Sequence, residues 1–242
     1  MLQACLNGWR NQSFHPWVPQ SAEELARDAV LAIEAGASEL HVHPRGGDGR
    51  ESLDFQDVAR CLLAIRASVP RTPIGISTHW GIPPGGGARQ GPMHNWTVLP
   101  DYVSVNLVEE DAPAIIDLML EKGIGIEAGL WSVADVERFL TLPAAPRCLR
   151  ILIEINEQDI AEGMAVYTAM RERLARTNLA LPILLHGFEA TMWPLYHEAV
   201  KEGFDARIGL EDGELLPSGE VALDNAELLR AARLIAGSGA AL

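Results

Sequence analysis

Apolar positions along this chain fall into short alternating runs, separated by longer stretches in which they recur at helical spacing. Eight short runs predict strands, over residues 2–7, 39–43, 74–77, 102–106, 124–127, 149–154, 183–186 and 206–209. Helices are predicted over residues 21–35, 54–68, 111–122, 132–140, 158–176, 190–202 and 225–236. Ser21 with Glu24 three residues on has the spacing of a capping box, and Gly36 supplies the stop. Residues 81–91, dense in Gly and Pro, read as a long loop that could serve as a lid. Strand and helix in alternation predict parallel βαβ units, and eight strands favour closure into a (β/α)8 TIM barrel. No composition break divides residues 1–242, so the expectation is one domain.

Side chains alternate between the two faces of a strand, so each barrel strand turns one set toward the helices and the other inward. On the second strand Leu40 and Val42 form the outer set, which leaves His41 and His43 inside. The fourth turns Val103 and Val105 out, with Ser104 and Asn106 inward. The same alternation puts Glu127, Glu154, and the Arg207, Gly209 and Glu211 set inside, and Asn7, Ser77 and His186 close the first, third and seventh strands. Glu127 and Glu154 either line a site or pair with Arg150 or Arg207. Polar residues thus gather at the C-terminal ends of all eight strands, where barrels of this kind build their active sites.

Composition narrows the partners. A hydrophobic share of 48% suffices for one core, and three cysteines without paired or ligand spacing suit a reducing compartment. The first residues lack a basic region followed by a long apolar run, and no stretch approaches the ~20 apolar residues of a membrane span. The expectation is therefore a soluble, cytoplasmic protein. A net charge of −14 argues against nucleic acid and anionic lipid as partners, and obliges any anionic substrate to find a locally basic site. Arg45, Arg50 and Arg89, all in mouth-side loops, are candidates for that field. His79 and His94 read as ordinary loop histidines, and Trp9, Trp131 and Trp193 as possible pocket walls.

The sharpest local feature is His41-Val42-His43. Residues two apart on a strand lie ~6.6 Å apart on one face, close enough to share one ion, although two hydrogen-bonded inward histidines would look the same. Closure adds a third group. Strands two and eight both neighbour strand one, so their axes stand only ~10 Å apart, and Glu211 sits at the mouth end of strand eight with inward parity. Two imidazoles and a carboxylate are a recurrent set for catalytic zinc with a coordination position left open. Arg207 and Asp212 flank that glutamate. They are either a simple ion pair or an arginine that keeps a carboxylate base ionised and oriented.

These residues also carry a resemblance. Glu39-Leu-His-Val-His-Pro-Arg45, Asp48-Gly-Arg-Glu-Ser-Leu53, Ile76-Ser77-Thr78, Ser104-Val-Asn106 and Arg207-Ile-Gly-Leu-Glu-Asp212 resemble the signature of the β-keto acid cleavage enzymes, in order along the chain. Ala4-Cys-Leu-Asn-Gly8 fits as well. The resemblance implies exchange between a β-keto acid and acetyl-CoA, giving acetoacetate and a new acyl-CoA, in a homotetramer. It implies Zn2+ held by His41, His43 and Glu211, with Asp212 as the base, oriented by Arg207. Ser77 would take part in acyl handling, and Ser104, Asn106, Thr78 and Arg10 would face the keto acid. Arg10 stands where members acting on an amino substrate carry an acid, which suggests a neutral or carboxylate-bearing acyl end here. Two rivals share the ingredients. Amidohydrolase-type barrels place their HxH on the first strand and draw further ligands from the middle strands, which offer Ser104, Glu127 and Glu154 here. The other rival is a binding barrel with a structural metal.

Overall fold

In the computed structural model, which describes residues 1–239, eight parallel strands close on themselves in chain order, so that β1 pairs with both β2 and β8. The strands are β1 (Leu2–Cys5), β2 (Glu39–Val42), β3 (Ile74–Ser77), β4 (Tyr102–Asn106), β5 (Gly125–Leu130), β6 (Arg150–Ile155), β7 (Ile183–Gly187) and β8 (Asp205–Ile208). Helices α1 (Ala22–Glu34), α2 (Phe55–Ser68), α3 (Gln90–His94), α4 (Ala112–Glu121), α5 (Val133–Leu140), α6 (Ile160–Ala175), α7 (Met192–Glu202) and α8 (Asn225–Gly239) follow them in turn. The fold is a (β/α)8 TIM barrel. Several helices begin a residue or two inside the predicted spans because their first polar residue is a cap. Ser21 accepts from Glu24 N in a full capping box, while Asp54, Ser132 and Asp159 cap α2, α5 and α6 by accepting a single backbone N–H each.

The outward sets pack as expected. Leu40, Val42, Val103, Val105, Ile126, Ile151, Ile153 and Ile208 are fully or almost fully buried between barrel and helices. Burial of each such side chain is worth roughly 1.5–3 kcal/mol. The barrel interior below the mouth is polar. Gln3 Nε2 donates to Glu127 Oε1 at 2.7 Å and Tyr102 Oη at 3.0 Å, and Arg150 Nε donates to Glu127 at 2.8 Å. Glu127 is therefore no rim residue. β5 runs on through Leu130, past the predicted end, which leaves this glutamate in the barrel floor as the partner of Arg150. A buried charge of this kind persists only when paired and hydrogen-bonded.

Residues 81–91, expected as a loop, carry regular structure. Gly86–Arg89 forms a 3-10 turn leading into α3, and the buried Arg89 guanidinium binds Glu109 and, at 3.0 Å, Asp111. Glu109 also accepts from Trp80 N at 2.9 Å, so one acid after β4 anchors both ends of the β3–β4 connection. Among the described residues no helix is long and apolar enough to cross a membrane.

Candidate metal centre

Three buried ligand atoms converge at the C-terminal mouth. His41 Nε2 and His43 Nε2 stand 3.3 Å apart, and Glu211 Oε1 lies 3.8 Å from the first and 3.3 Å from the second. β1 holds the two sides together, with Cys5 in register with His41 on one flank and Ala4 with Ile208 on the other. Two glycines make the approach possible. A Cβ on Gly209 would lie 1.9 Å from the Cys5 carbonyl oxygen, so only glycine lets β8 run this close to β1 just before Glu211. Gly8 takes φ +57°, and a Cβ there would sit 2.4 Å from Glu211 Cγ, in the space the ligand side chain needs.

The electrostatics suit a cation. Burial drives His41 well below its ordinary value, leaving a neutral imidazole. Burial also opposes charge on Glu211, but Arg207 and then His43 outweigh it and hold this carboxyl well below the usual range. His43 is lowered by burial and raised more strongly by Glu211 and Glu51, which leave it at about 9. Its Nδ1 meets the Glu51 carboxylate directly, so Nε2 is the nitrogen turned to the cluster. Glu211 Oε2 is buried without a partner. Two ring nitrogens facing each other across 3.3 Å beside an ionised carboxylate repel unless a proton or metal ion lies between them. The N2O donor set fits a divalent ion such as zinc with room for a further ligand.

Asp212 turns into the same site from the end of β8. Its Oδ1 accepts from Arg207 Nη2 at 3.1 Å and lies 3.4 Å from His186 Nδ1, while its Oδ2 accepts from the Cys5 thiol at 2.7 Å. Arg207 Nη2 also donates to Glu211 Oε1 at 2.9 Å, so one guanidinium ties ligand and neighbouring acid together. The ligands open onto a cavity of about 360 Å³, also lined by Arg207, Ser77, Ser104 and Asn106.

A family model described as beta-keto acid cleavage enzyme matches residues 1–240 of this chain. The chain belongs to that family. Curated relatives named 3-keto-5-aminohexanoate cleavage enzyme, from Fusobacterium nucleatum and Acetoanaerobium sticklandii, are 42% and 38% identical over 64 residues, 26% of this chain. The chain thus spans about a quarter of the length of these relatives, 24% and 23%. Among solved structures, a ternary complex of ObcA with a C4-CoA adduct and oxalate superposes with TM-score 0.72 at 17% identity, over 93% of this chain and 65% of that one. A type I 3-dehydroquinate dehydratase from Clostridium difficile gives 0.65 at 13%, over 98% and 92%. At such identities these two report the barrel fold.

Not every residue the family signature singles out reaches the cavity. Thr78 is buried behind it, and its hydroxyl donates to the Ser104 carbonyl at 2.7 Å, tying β3 to β4. Arg10 lies outside the lining. Its Nε donates to the Glu211 carbonyl at 2.9 Å, its Nη2 meets Glu189, and its guanidinium lies 3.7 Å from the Phe14 ring centre. Of the three arginines proposed to attract an anion, Arg89 is buried on Glu109 and Asp111, and Arg45 donates to the Gly8, Arg10 and Gly49 carbonyls. Arg50 alone of the three is largely exposed, at 81% of its side chain. His79 lines the cavity rather than sitting in an ordinary loop, and Trp193 points away to the Leu215 carbonyl.

Glu51 and Cys5, in contact with His43 and Asp212, are the neighbours of the candidate site that sequence reading passed over. Glu51 returns to His43 because Arg45 and Glu51 form an antiparallel bridge. A carboxylate one tight hairpin after an HxH pair is the signal that could have found it. Cys5 had only its inward parity to mark it.

Proposed function

We propose that this protein catalyses zinc-dependent exchange between a β-keto acid and acetyl-CoA, yielding acetoacetate and a new acyl-CoA. The carrying observation is the convergence of His41, His43 and Glu211 with Asp212 and Arg207 beside them, on a chain that matches the family over nearly its full length. Structures of ObcA, a barrel of the same fold, in complex with oxaloacetate and with a C4-CoA adduct, support both substrate classes.

His41, His43 and Glu211 would hold the ion. Zinc bound there supplies Lewis-acid stabilisation to negative charge developing on the keto oxygen. Asp212 removes the acidic proton from the carbon between the keto and carboxylate groups of the substrate. Arg207 and Cys5, one on each oxygen, fix the direction in which that carboxylate presents itself. Ser77, Ser104 and Asn106 offer hydroxyl and amide groups to the keto acid from strand ends β3 and β4, and Ser77 stands beside the acyl carbon during transfer. Thr78 and Arg10 work one layer back, fixing the Ser104 and Glu211 main chain.

The test is metal analysis of purified protein combined with a β-keto acid panel and acetyl-CoA, read by acetoacetate release. Expected are about one zinc per chain, turnover of at least one acid, and a loss of about 10²–10⁴-fold in Asp212→Asn with zinc content kept. Absence of acetoacetate from every acid, or turnover that survives Asp212→Asn, would sink the reading.

A further inference from the structure

Two acids meet one histidine at the cavity wall, and the exchange chemistry so far uses only one of them. His186 is buried on β7, with Nδ1 3.4 Å from Asp212 Oδ1 and Nε2 3.4 Å from Glu154 Oε2. Glu154 and His186 stand in register on β6 and β7, and Asp212 follows β8, so three neighbouring segments set the row. Neither ring nitrogen closes a hydrogen bond, and the Phe188 ring lies edge-on to the imidazole with centres 5.1 Å apart. A ring suspended between two carboxylates closes either contact with a small tilt. Imidazole is also the side chain that takes and gives up a proton most readily near neutral pH.

The two acids differ in their surroundings. Asp212 is buried, and its contacts Arg207 and Cys5 keep their own protons, the guanidinium by nature and the thiol because burial pushes it up. Of these three side chains, His186 is the one through which a proton can leave. Glu154 lines the cavity, and β6 lies four strands from the histidine pair in either direction round the barrel. Among the described residues no arginine or lysine stands in salt-bridge reach of it. A proton on Asp212 lies beside a guanidinium and a proton on Glu154 does not, so Coulomb repulsion favours the move toward β6.

A keto acid at the metal centre fills the β2–β8 side, and acetyl-CoA must reach it from the open side, where β6 supplies Glu154. Sulfur departing there meets no free guanidinium or ammonium, because Arg207, the one arginine in the cavity wall, already serves Glu211 and Asp212. A bare thiolate beside a carboxylate is repelled; a thiol is not.

We propose that Glu154 protonates the CoA sulfur as it leaves the acetyl group and takes that proton back when the sulfur attacks the keto carbon, with His186 carrying the proton from and to Asp212. The proposal rests on the acetyl-CoA exchange reading. In the first half, the C–H bond between the keto and carboxylate groups breaks, the electron pair stays on carbon and the proton goes to Asp212. That carbon bonds to the acetyl carbonyl, and the C–S bond breaks with its pair on sulfur. Asp212 gives its proton to His186 Nδ1 as the Nε2 hydrogen passes to Glu154, and Glu154 protonates the sulfur. In the second half the transfers run backward. Sulfur, its proton returned to Glu154, bonds to the keto carbon of the acyl chain. The C–C bond then breaks with its pair on the acetoacetate carbon, which takes the proton from Asp212. The imidazole hydrogen moves from Nε2 to Nδ1 and back, so the ring ends as it began.

The test compares acetyl-CoA with its selenium analogue, acetyl-selenoCoA, on zinc-loaded wild type, Glu154→Gln and His186→Gln. The two esters differ in one atom, and a selenol is acidic enough to leave without a proton. Single-turnover acetoacetate formation is read, with zinc content as the check on folding. Each variant should lose about tenfold or more with acetyl-CoA and about threefold or less with the selenoester. An equal loss with both esters, or no loss with acetyl-CoA, overturns the proposal. Where neither variant folds, the wild type decides. Rates within about threefold for the two esters support assisted departure of sulfur, and a selenoester faster by about tenfold or more overturns it. Acetoacetate release with equal losses removes this proposal alone, whereas no acetoacetate from any acid removes the exchange reading and this proposal with it.

Discussion

His43 is pulled in two directions by its two nitrogens. Nδ1 meets Glu51 and Nε2 faces Glu211, and between them the acids hold a proton on the ring up to about pH 9 despite its burial. A metal ion needs the Nε2 lone pair, so that proton must leave when the ion arrives. The sign follows directly. Below about pH 9 each unit of acidification should weaken zinc binding about tenfold. At pH 7.5 binding should release about one proton, measurable by titration calorimetry in buffers of different ionisation enthalpy. A buffer-independent heat would mean that His43 is already neutral. His41, driven well below its usual value by burial, contributes no such proton.

At the scale of elements, strand parity made most of the site legible. Leu40 and Val42 face the helices, so His41 and His43 had no other place to point, and the same logic placed Ser77, Ser104, Asn106, Arg207 and Glu211 on the cavity wall. What alternation cannot supply is pairing between groups far apart in the chain. Cys5 donating to Asp212 spans nearly the whole sequence, and nothing local to Arg89 or Arg10 showed that each already had an acid. For Glu127 the pattern leaves lining and pairing both open, and the pair with Arg150 is the one observed. Ala128 and Gly129 are too small to mark a strand by pattern, so β5 was read short.

The helix ring holds another such long-range pairing, with a measurable consequence. Asn225, the first residue of α8, donates to the Leu6 carbonyl at 2.8 Å and to Asp28 of α1 at 2.7 Å, and accepts from Leu210 N at 2.7 Å. It therefore fastens the ends of β1 and β8 beneath Glu211. Burial, with Asp224 adding to it, pushes the Asp28 carboxyl up to about 7. An unfolded aspartate titrates near ~3.9, so the folded state holds the extra proton between the two values. Stability contributed by this group is full below about pH 4 and is lost progressively as pH rises to about 7. Asp28→Asn keeps the acceptor for Asn225 and removes the titration. Urea unfolding at pH 5 and pH 8 should show the variant gaining on wild type by about 1–2 kcal/mol at the higher pH, after allowance for solvent screening. An identical difference at both values would exclude Asp28 as the source.

Over the whole molecule, the three candidate ligands come from the second strand and the segments that follow the second and the last, with β1 between them. An ion that joins His41, His43 and Glu211 therefore bridges the seam where the first and last units of the barrel meet. That seam is otherwise held by short β1–β8 pairing, the Asn225 contacts and the Met1 amino group on Asp205 at 2.8 Å. Because the unfolded chain offers these three groups no fixed geometry, binding energy for the ion becomes folding energy. Free zinc at 1,000 times its dissociation constant adds about 4 kcal/mol. For a chain of this size each kcal/mol raises Tm by about 2–4 °C, so zinc should lift the transition by roughly 8–16 °C. Scanning calorimetry with zinc and with chelator measures it. The increment should vanish in Glu211→Gln, which removes one corner of the set, and should persist in Glu154→Gln, whose carboxylate faces the other side of the mouth. A zinc increment unchanged in Glu211→Gln would place the ion elsewhere, and the seam would then have to be held by the protein contacts alone.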